Sequence, residues 1–144
     1  MSEAVRTCAG AILVRAGELL LAKRSAERTF YPGVWDVIGG HCEEGESPTA
    51  ALIREVKEEI GVIPTDFDEI AILAEPLPEK HGDARYHIFI VTAWDGGEPR
   101  LQNREHSDLR WLSVARALSL QLAHPGYIEL LRTIAAQRTG GHSG

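Results

Sequence analysis

Between Gly40 and Val62 the chain reads GHCEEGESPTAALIREVKEEIGV, and this stretch limits the possible folds more than any other. Ser47 is a good helix N-cap, and Pro48 suits the first helical position, where its missing N–H costs nothing. Gly61 supplies the left-handed residue that commonly ends a helix. The expectation is one helix over Ser47–Ile60. At 3.6 residues per turn Glu55, Glu58 and Glu59 share a face, and Leu52, Ile53, Val56 and Ile60 form an apolar stripe beside it. Ala51 falls on the carboxylate face one turn before Glu55 and leaves space there. Like charges so spaced repel by about 0.2–0.5 kcal/mol per pair, so a purely structural helix has little reason to crowd them. Clustered oxygens are what a hard divalent cation takes as ligands. A solvated acidic face, softened by Arg54 and Lys57, is the alternative that the helix alone leaves open.

The wider spacing decides between the two. The stretch fits the pattern Gly-x5-Glu-x7-Arg-Glu-(apolar)-x-Glu-Glu-x-Gly-(apolar), running from Gly40 through Glu46, Arg54, Glu55, Val56, Glu58, Glu59 and Gly61 to Val62. Average residue usage gives such a pattern by chance in a chain of this length with probability on the order of 10⁻⁷. It resembles the signature of the Nudix hydrolases, and every defined position matches. The resemblance implies an α/β fold in which a mixed β-sheet is sandwiched between α-helices. It also implies Mg²⁺ as cofactor, with Mn²⁺ as a possible substitute. Glu55, Glu58 and Glu59 would hold the metal, joined by the carbonyl of Gly39, the residue before the first glycine of the pattern. Arg54 would orient the acidic cluster, and Glu46 would fix the loop against the helix.

Composition agrees with a small enzyme. A chain of 144 residues is long enough to bury a core, and one domain over 1–144 is expected, with about 139–144, His142 included, as a frayed tail. The net charge of −6 argues against a nucleic-acid polymer as partner, since that needs a basic face. An acidic protein that handles phosphates usually recruits metal ions to offset the repulsion, which suits the helix. Cys8 and Cys42 are too few for a disulfide framework and fit a reducing compartment. MSEAVRTCAG lacks the apolar core of a signal peptide, and no 18-residue apolar run exists, so a cytoplasmic location without membrane contact is expected. A small-molecule nucleotide is the expected partner, with the protein a monomer or homodimer.

In chain order, Val5–Val14 and Leu19–Lys23 read as a hairpin of strands around Ala16-Gly17-Glu18. Lys23 and Arg24 end the second strand as a basic pair, either plain surface or a contact for phosphate or base. Phe30, Tyr31 and Trp35 can stack on a base or cap the core, and Val34–Ile38 is a short strand leading into Gly39-Gly40. His41 and Cys42 have no further ligands at zinc spacing nearby. Beyond the helix, Asp66–Pro76 reads as a strand, Glu75–Asp83 as a loop, Arg85–Trp94 as a strand dense in β-branched and aromatic residues, and Leu109–Leu112 as a short strand. Ser113 begins a helical turn, and Pro125–Gln137 is an amphipathic helix. Many Nudix hydrolases carry an acid before the last strand that reaches the metal site; Glu105 matches best, with Asp108 and Glu98 as competitors.

The chemistry these residues imply is in-line displacement at phosphorus, with positive charge offsetting the diphosphate oxygens and Glu59 or Glu105 accepting the proton of water. The expected substrate is a nucleoside diphosphate linked to a further group. A short chain favours a MutT-like nucleoside triphosphate pyrophosphohydrolase. ADP-ribose, supported by Pro78 downstream of the pattern, and dinucleoside polyphosphates are alternatives. Two other classes stand further off. Pro32-Gly33-Val34-Trp35-Asp36 and a Gly-His pair resemble isopentenyl diphosphate isomerase, which departs from the complete pattern. A nucleotide sensor without turnover typically loses the glutamates that are all present here.

Overall fold

Strand β1 (Arg6–Arg15) is the seam of the molecule, because both of its faces are buried. The computed structural model describes residues 5–29 and 31–140. After β1 come β2 (Glu18–Arg24), β3 (Trp35–Asp36), β4 (Ile38–His41), α1 (Pro48–Ile60), β5 (Ile63–Ala74), α2 (Pro78–His81), β6 (Ala84–Asp95), β7 (His106–Ser113), α3 (Val114–Leu118) and α4 (Gly126–Gly140). Side chains alternate across a strand, so Ala9, Ala11 and Leu13 of β1 join Leu20 and Ala22 of β2 against α1. Ile12 and Val14, with Leu19 and Leu21, face the opposite cluster, which holds Ala117 of α3 and Tyr127, Leu131 and Ile134 of α4. A mixed sheet therefore lies between helices, as the α/β reading requires. Burial on both faces explains why β1 and β2 read as continuous apolar runs.

The pairing shows how β1 divides its partners. It runs parallel to β6 from Arg6↔Ala84 to Leu13↔Val91 and antiparallel to β4 from Cys8↔His41 to Ala11↔Ile38. Only Val14↔Leu19 and Arg15↔Glu18 join it to β2, around a turn whose Ala16 and Gly17 have φ of 51° and 83°. From there β2 pairs with β3 and β7 instead. The strand expected over Val34–Ile38 is consequently two strands: Asp36 pairs with Ala22 of β2, whereas Ile38 pairs with Ala11 of β1. The chain changes partner at Val37, whose N–H is held by Asp36 Oδ1 at 2.8 Å.

Other boundaries shift for similar reasons of pairing. Strand β5 begins at Ile63 rather than Asp66, because Ile63 and Pro64 already pair with Asp95 and Trp94. Strand β7 begins at His106 rather than Leu109, through pairing with Arg24 across a bulge. The loop over Glu75–Asp83 contains the single turn α2. Helix α4 continues through Gly140, past the point where the sequence predicts a tail; residues 141–144 lie outside the described residues.

Helix α1 has its expected ends. Ser47 Oγ accepts from the Ala50 N–H at 3.1 Å, and Gly61, with φ 75°, donates to Lys57 O at 3.0 Å. Its buried residues are Ala51, Leu52, Val56, Glu59 and Ile60. The face is thus rotated from the expected one: Ala51 and Glu59 turn inward, and Ile53 is only half-buried. A side chain at Gly61 would meet Gln102 Nε2 at 3.0 Å in a left-handed backbone. Gly61→Ala is expected to lower stability by about 1 kcal/mol, read from urea unfolding.

Candidate active site

Arg54 organises the start of α1. Its Nε and Nη2 each donate to Glu46 at 2.8 Å, and Nη2 also donates to His41 O at 3.0 Å, which fastens the loop after β4 to the helix. Its Nη1 donates to Glu55 at 2.9 Å and to Glu58 at 3.3 Å. The guanidinium, helped by the Glu43 N–H, holds the Glu46 carboxyl down at about 2. Burial raises the Glu55 carboxyl against the pull of Arg54, and its acidic neighbours Glu58 and Glu59 add to the rise. The Glu55 carboxylate lies in the hollow above Gly40, where an added Cβ would stand 2.7 Å from it.

Glu59 points elsewhere. It is 3% exposed, and its Oε2 accepts from His106 Nδ1 at 3.2 Å. Burial raises its pKa, but hydrogen bonds from His106, Glu105 and Asn103 outweigh that and leave it below the usual carboxylate range. Glu105 is pushed the other way, first by its hydrogen bond to Glu59 and then by burial. Arg28 faces Glu105 at 3.5 Å. The three helix carboxylates therefore do not converge on one point: Glu55 and Glu58 meet through Arg54, and Glu59 meets His106. Among the described residues no group of three or more His, Cys, Asp or Glu side chains is arranged around a common metal position.

A cavity of about 380 Å³ opens beside these residues, within the size range of small-molecule sites. Gly39, Gly40, Glu55, Glu105 and His106 line one part of it, and Tyr31, Glu75, Tyr86, His124 and Tyr127 line another. Arg6, Arg24 and Arg28 bring positive charge to its walls. Glu58 and Glu59 do not line it.

The candidates outside the helix separate clearly. Glu105 and Tyr31 line the cavity, and so does Arg24, whose Nε donates to Tyr31 O at 3.0 Å. Lys23 is exposed and is not part of the lining, because successive residues of a strand face opposite sides. Trp35 is not part of the lining either. Its ring packs against the cluster that includes Tyr127 and Leu131, and its backbone exchanges hydrogen bonds with Gln121 and Ala123 at 2.9 and 2.8 Å. Of the two roles open to Trp35, stacking and core packing, the structure places it in packing. Trp35→Ala is expected to lower stability by about 2 kcal/mol, below the usual cost for a fully buried ring, with nucleotide KM unchanged. Phe30 lies outside the described residues.

Asp108 caps the Leu109 N–H at 2.8 Å and binds Arg110 Nε at 2.7 Å, while Glu98 binds Arg15 at 2.6 Å and Trp111 Nε1 at 3.1 Å. Both competitors of Glu105 are thus engaged away from the cavity. Arg6, Arg28, Glu75 and His106 had no signal in the sequence strong enough to single them out. His106 alone had a hint, as the neighbour of Glu105 at the start of a strand.

Comparison with known proteins places this geometry in a family. The NUDIX domain profile matches residues 5–134. The chain is 35% identical over 130 residues to the CTP pyrophosphohydrolase of Escherichia coli (strain K12), covering 89% of this chain and 90% of that protein. It is 33% identical over 86 residues to the 8-oxo-dGTP diphosphatase of Proteus vulgaris, covering 60% of this chain and 74% of that one. The solution structure of the E. coli ORF135 protein superposes with a TM-score of 0.76 at 31% identity, covering 97% of this chain and 95% of that chain. With the helix signature, the sandwich and these relatives in agreement, the chain belongs to the Nudix family and is a hydrolase of phosphoric anhydride bonds.

Proposed function

We propose that the protein is a Mg²⁺-dependent nucleoside triphosphate pyrophosphohydrolase that releases a nucleoside monophosphate and pyrophosphate. The observation that carries this reading is the cavity itself: acidic at Glu55 and Glu105 beside Gly39 and Gly40, basic at Arg6 and Arg28, and aromatic at Tyr31, Tyr86 and Tyr127. Phosphates fit the first two zones and a base the third. Similarity to a CTP pyrophosphohydrolase supports the same substrate class.

The donor chemistry fits a hard divalent cation. Glu55 and Glu58, joined through Arg54, offer carboxylate oxygens, the Gly39 carbonyl offers another, and the hollow over Gly40 already receives Glu55. Glu59, turned here to His106, would join them only by leaving that partner. When bound, such a cation supplies charge that offsets the diphosphate oxygens. The chain's own residues do the rest. Arg54 fixes Glu55 and Glu58 against the glycine strand. Arg6 and Arg28 draw phosphate oxygens into the cavity of an otherwise acidic protein. Glu105, at the cavity wall and in contact with Glu59, is placed to take a proton from water through its ionised carboxylate.

Incubation with Mg²⁺ and a panel of nucleoside triphosphates, ADP-ribose, dinucleoside polyphosphates and isopentenyl diphosphate tests the proposal. Pyrophosphate with a monophosphate is the expected product pair; orthophosphate, ribose phosphate or an isomerised diphosphate would refute it. Glu105→Gln should lower kcat about 10²-fold with little change in KM, the scale of a positioned proton transfer. A change confined to KM would make Glu105 a substrate contact only.

A further inference from the structure

Glu75 is a charged residue where a polyphosphate site has no evident need of one. It follows β5, is 4% exposed, and lines the cavity. Counting across the sheet from Gly39 on β4 through β1 and β6 to the end of β5 gives three strand spacings, roughly 14 Å. Glu75 thus lies across the sheet from Gly39, beside Tyr31 and Tyr86. Its carboxylate has hydroxyl and amide partners: Tyr31 OH donates to Oε2 at 2.6 Å, Leu77 N–H to Oε2 at 3.1 Å, and Tyr86 OH to Oε1 at 2.5 Å. Among the described residues Oε1 accepts that single bond, and a carboxylate oxygen has capacity for a second.

The surroundings hold this group in place. Burial raises the Glu75 pKa, but the two tyrosine hydroxyls, the Leu77 amide and His81 outweigh it, so the carboxylate is ionised and purely an acceptor at neutral pH. Gly126 N–H donates to His124 Nδ1 at 2.8 Å, so the Nε2 carries the proton and donates it to Ala74 O at 2.7 Å, fixing the backbone beside Glu75. The His124 ring stacks on Tyr127 with centroids 5.5 Å apart and meets Tyr86 edge-on at 5.8 Å. Tyr31 reaches Glu75 from a left-handed backbone with φ 52°, a conformation that costs a bulky residue of order 1 kcal/mol or more and gathers at binding sites.

We propose that the Tyr31–Glu75–Tyr86 cluster reads the nucleotide base, Glu75 accepting a hydrogen bond from an exocyclic amino group and so selecting cytosine and adenine over uracil and hypoxanthine. The inference rests on the nucleotide reading of the cavity and assigns its base specificity. A keto oxygen at the same place faces an acceptor-only carboxylate and has no bond to make. The aromatic rings hold any base; the carboxylate discriminates.

Calorimetric binding of CMP against UMP, and of AMP against IMP, tests this without relying on turnover. The wild type should favour the amino member of each pair roughly 10- to 100-fold, the scale of one well-made base contact. Glu75→Gln should bring each ratio close to unity, because the amide can donate to the keto oxygen. Tyr86→Phe, which keeps the carboxylate, should retain the preference. Equal binding within both pairs by the wild type, or binding of none of the four, overturns the proposal even if Glu75→Gln does not fold. So does a preserved ratio in Glu75→Gln, or an equal loss of CMP and UMP, which would make Glu75 only a clamp for the tyrosines. Pyrophosphate release, followed in parallel, keeps the two readings apart. Turnover without base preference removes the role of Glu75, and base preference without turnover removes the hydrolytic reading.

Discussion

Glu59→Gln should lower kcat by about 10³-fold or more with the fold intact, the upper range for loss of a single preorganised charge. The substitution keeps the shape of a side chain that is 3% exposed, so the core around Leu52, Val56 and Ile60 has no cavity to fill. It removes the negative charge that His106, Asn103 and Glu105 are arranged to hold. Glu58→Gln should lose less, about 10²-fold, because that side chain is 56% exposed and already shares its charge with Arg54. Circular dichroism separates lost chemistry from lost structure. Activity of Glu59→Gln within about threefold of wild type would remove Glu59 from the site.

Gly39→Ala and Gly40→Ala should fail in different ways, although the residues are adjacent. A Cβ on Gly39 would stand 1.9 Å from Ala9 O and 2.8 Å from Gly10 Cα, both backbone atoms of β1. No rotamer relieves that contact, so β4 must leave its register with β1. A loss of about 4 kcal/mol or more is expected, near the limit for single substitutions, and a fall in Tm of roughly 10 °C. The atoms nearest a Cβ on Gly40 are those of the Glu55 carboxylate, the far end of a flexible side chain. Gly40→Ala should therefore stay folded, with Tm within a few degrees of wild type, while Glu55 is driven from its hollow and activity falls at least tenfold. Thermal melts and kcat on the two variants decide. An inactive but fully stable Gly39→Ala would show that β4 is looser than its pairing with β1 indicates.

Helix α1 was legible to its end residues because everything that defines it is local: a capping hydroxyl, a proline at the first turn, a closing glycine and a run of period 3.6. The strands β1, β2 and β6 were legible as apolar or β-branched runs for a comparable reason. Their partners were not. The parallel pairing of β1 with β6 joins residues far apart in the chain, and no local pattern records it. The break at Val37 follows from the same pairing, since it marks where one sheet edge gives way to another.

Sequence alone determined the family signature, the three glutamates on one helix, Arg54, the glycines beside them and the class of reaction. Those residues are held by spacing within one element and its preceding loop. Tertiary structure decided which side chains join them. Alternation along a strand put Arg24 in the cavity and left Lys23 out, and it put Asp36 there in place of Trp35. A period of two is visible in sequence, but which of its faces meets the cavity is set by the sheets on either side. Glu105 lines the cavity and meets Glu59 whereas Asp108 and Glu98 bind elsewhere, and Arg6, Glu75 and His106 reach the cavity from β1, the end of β5 and the start of β7. A helix encodes its own face in its period, whereas a cavity wall assembled from several strands exists only once they have paired.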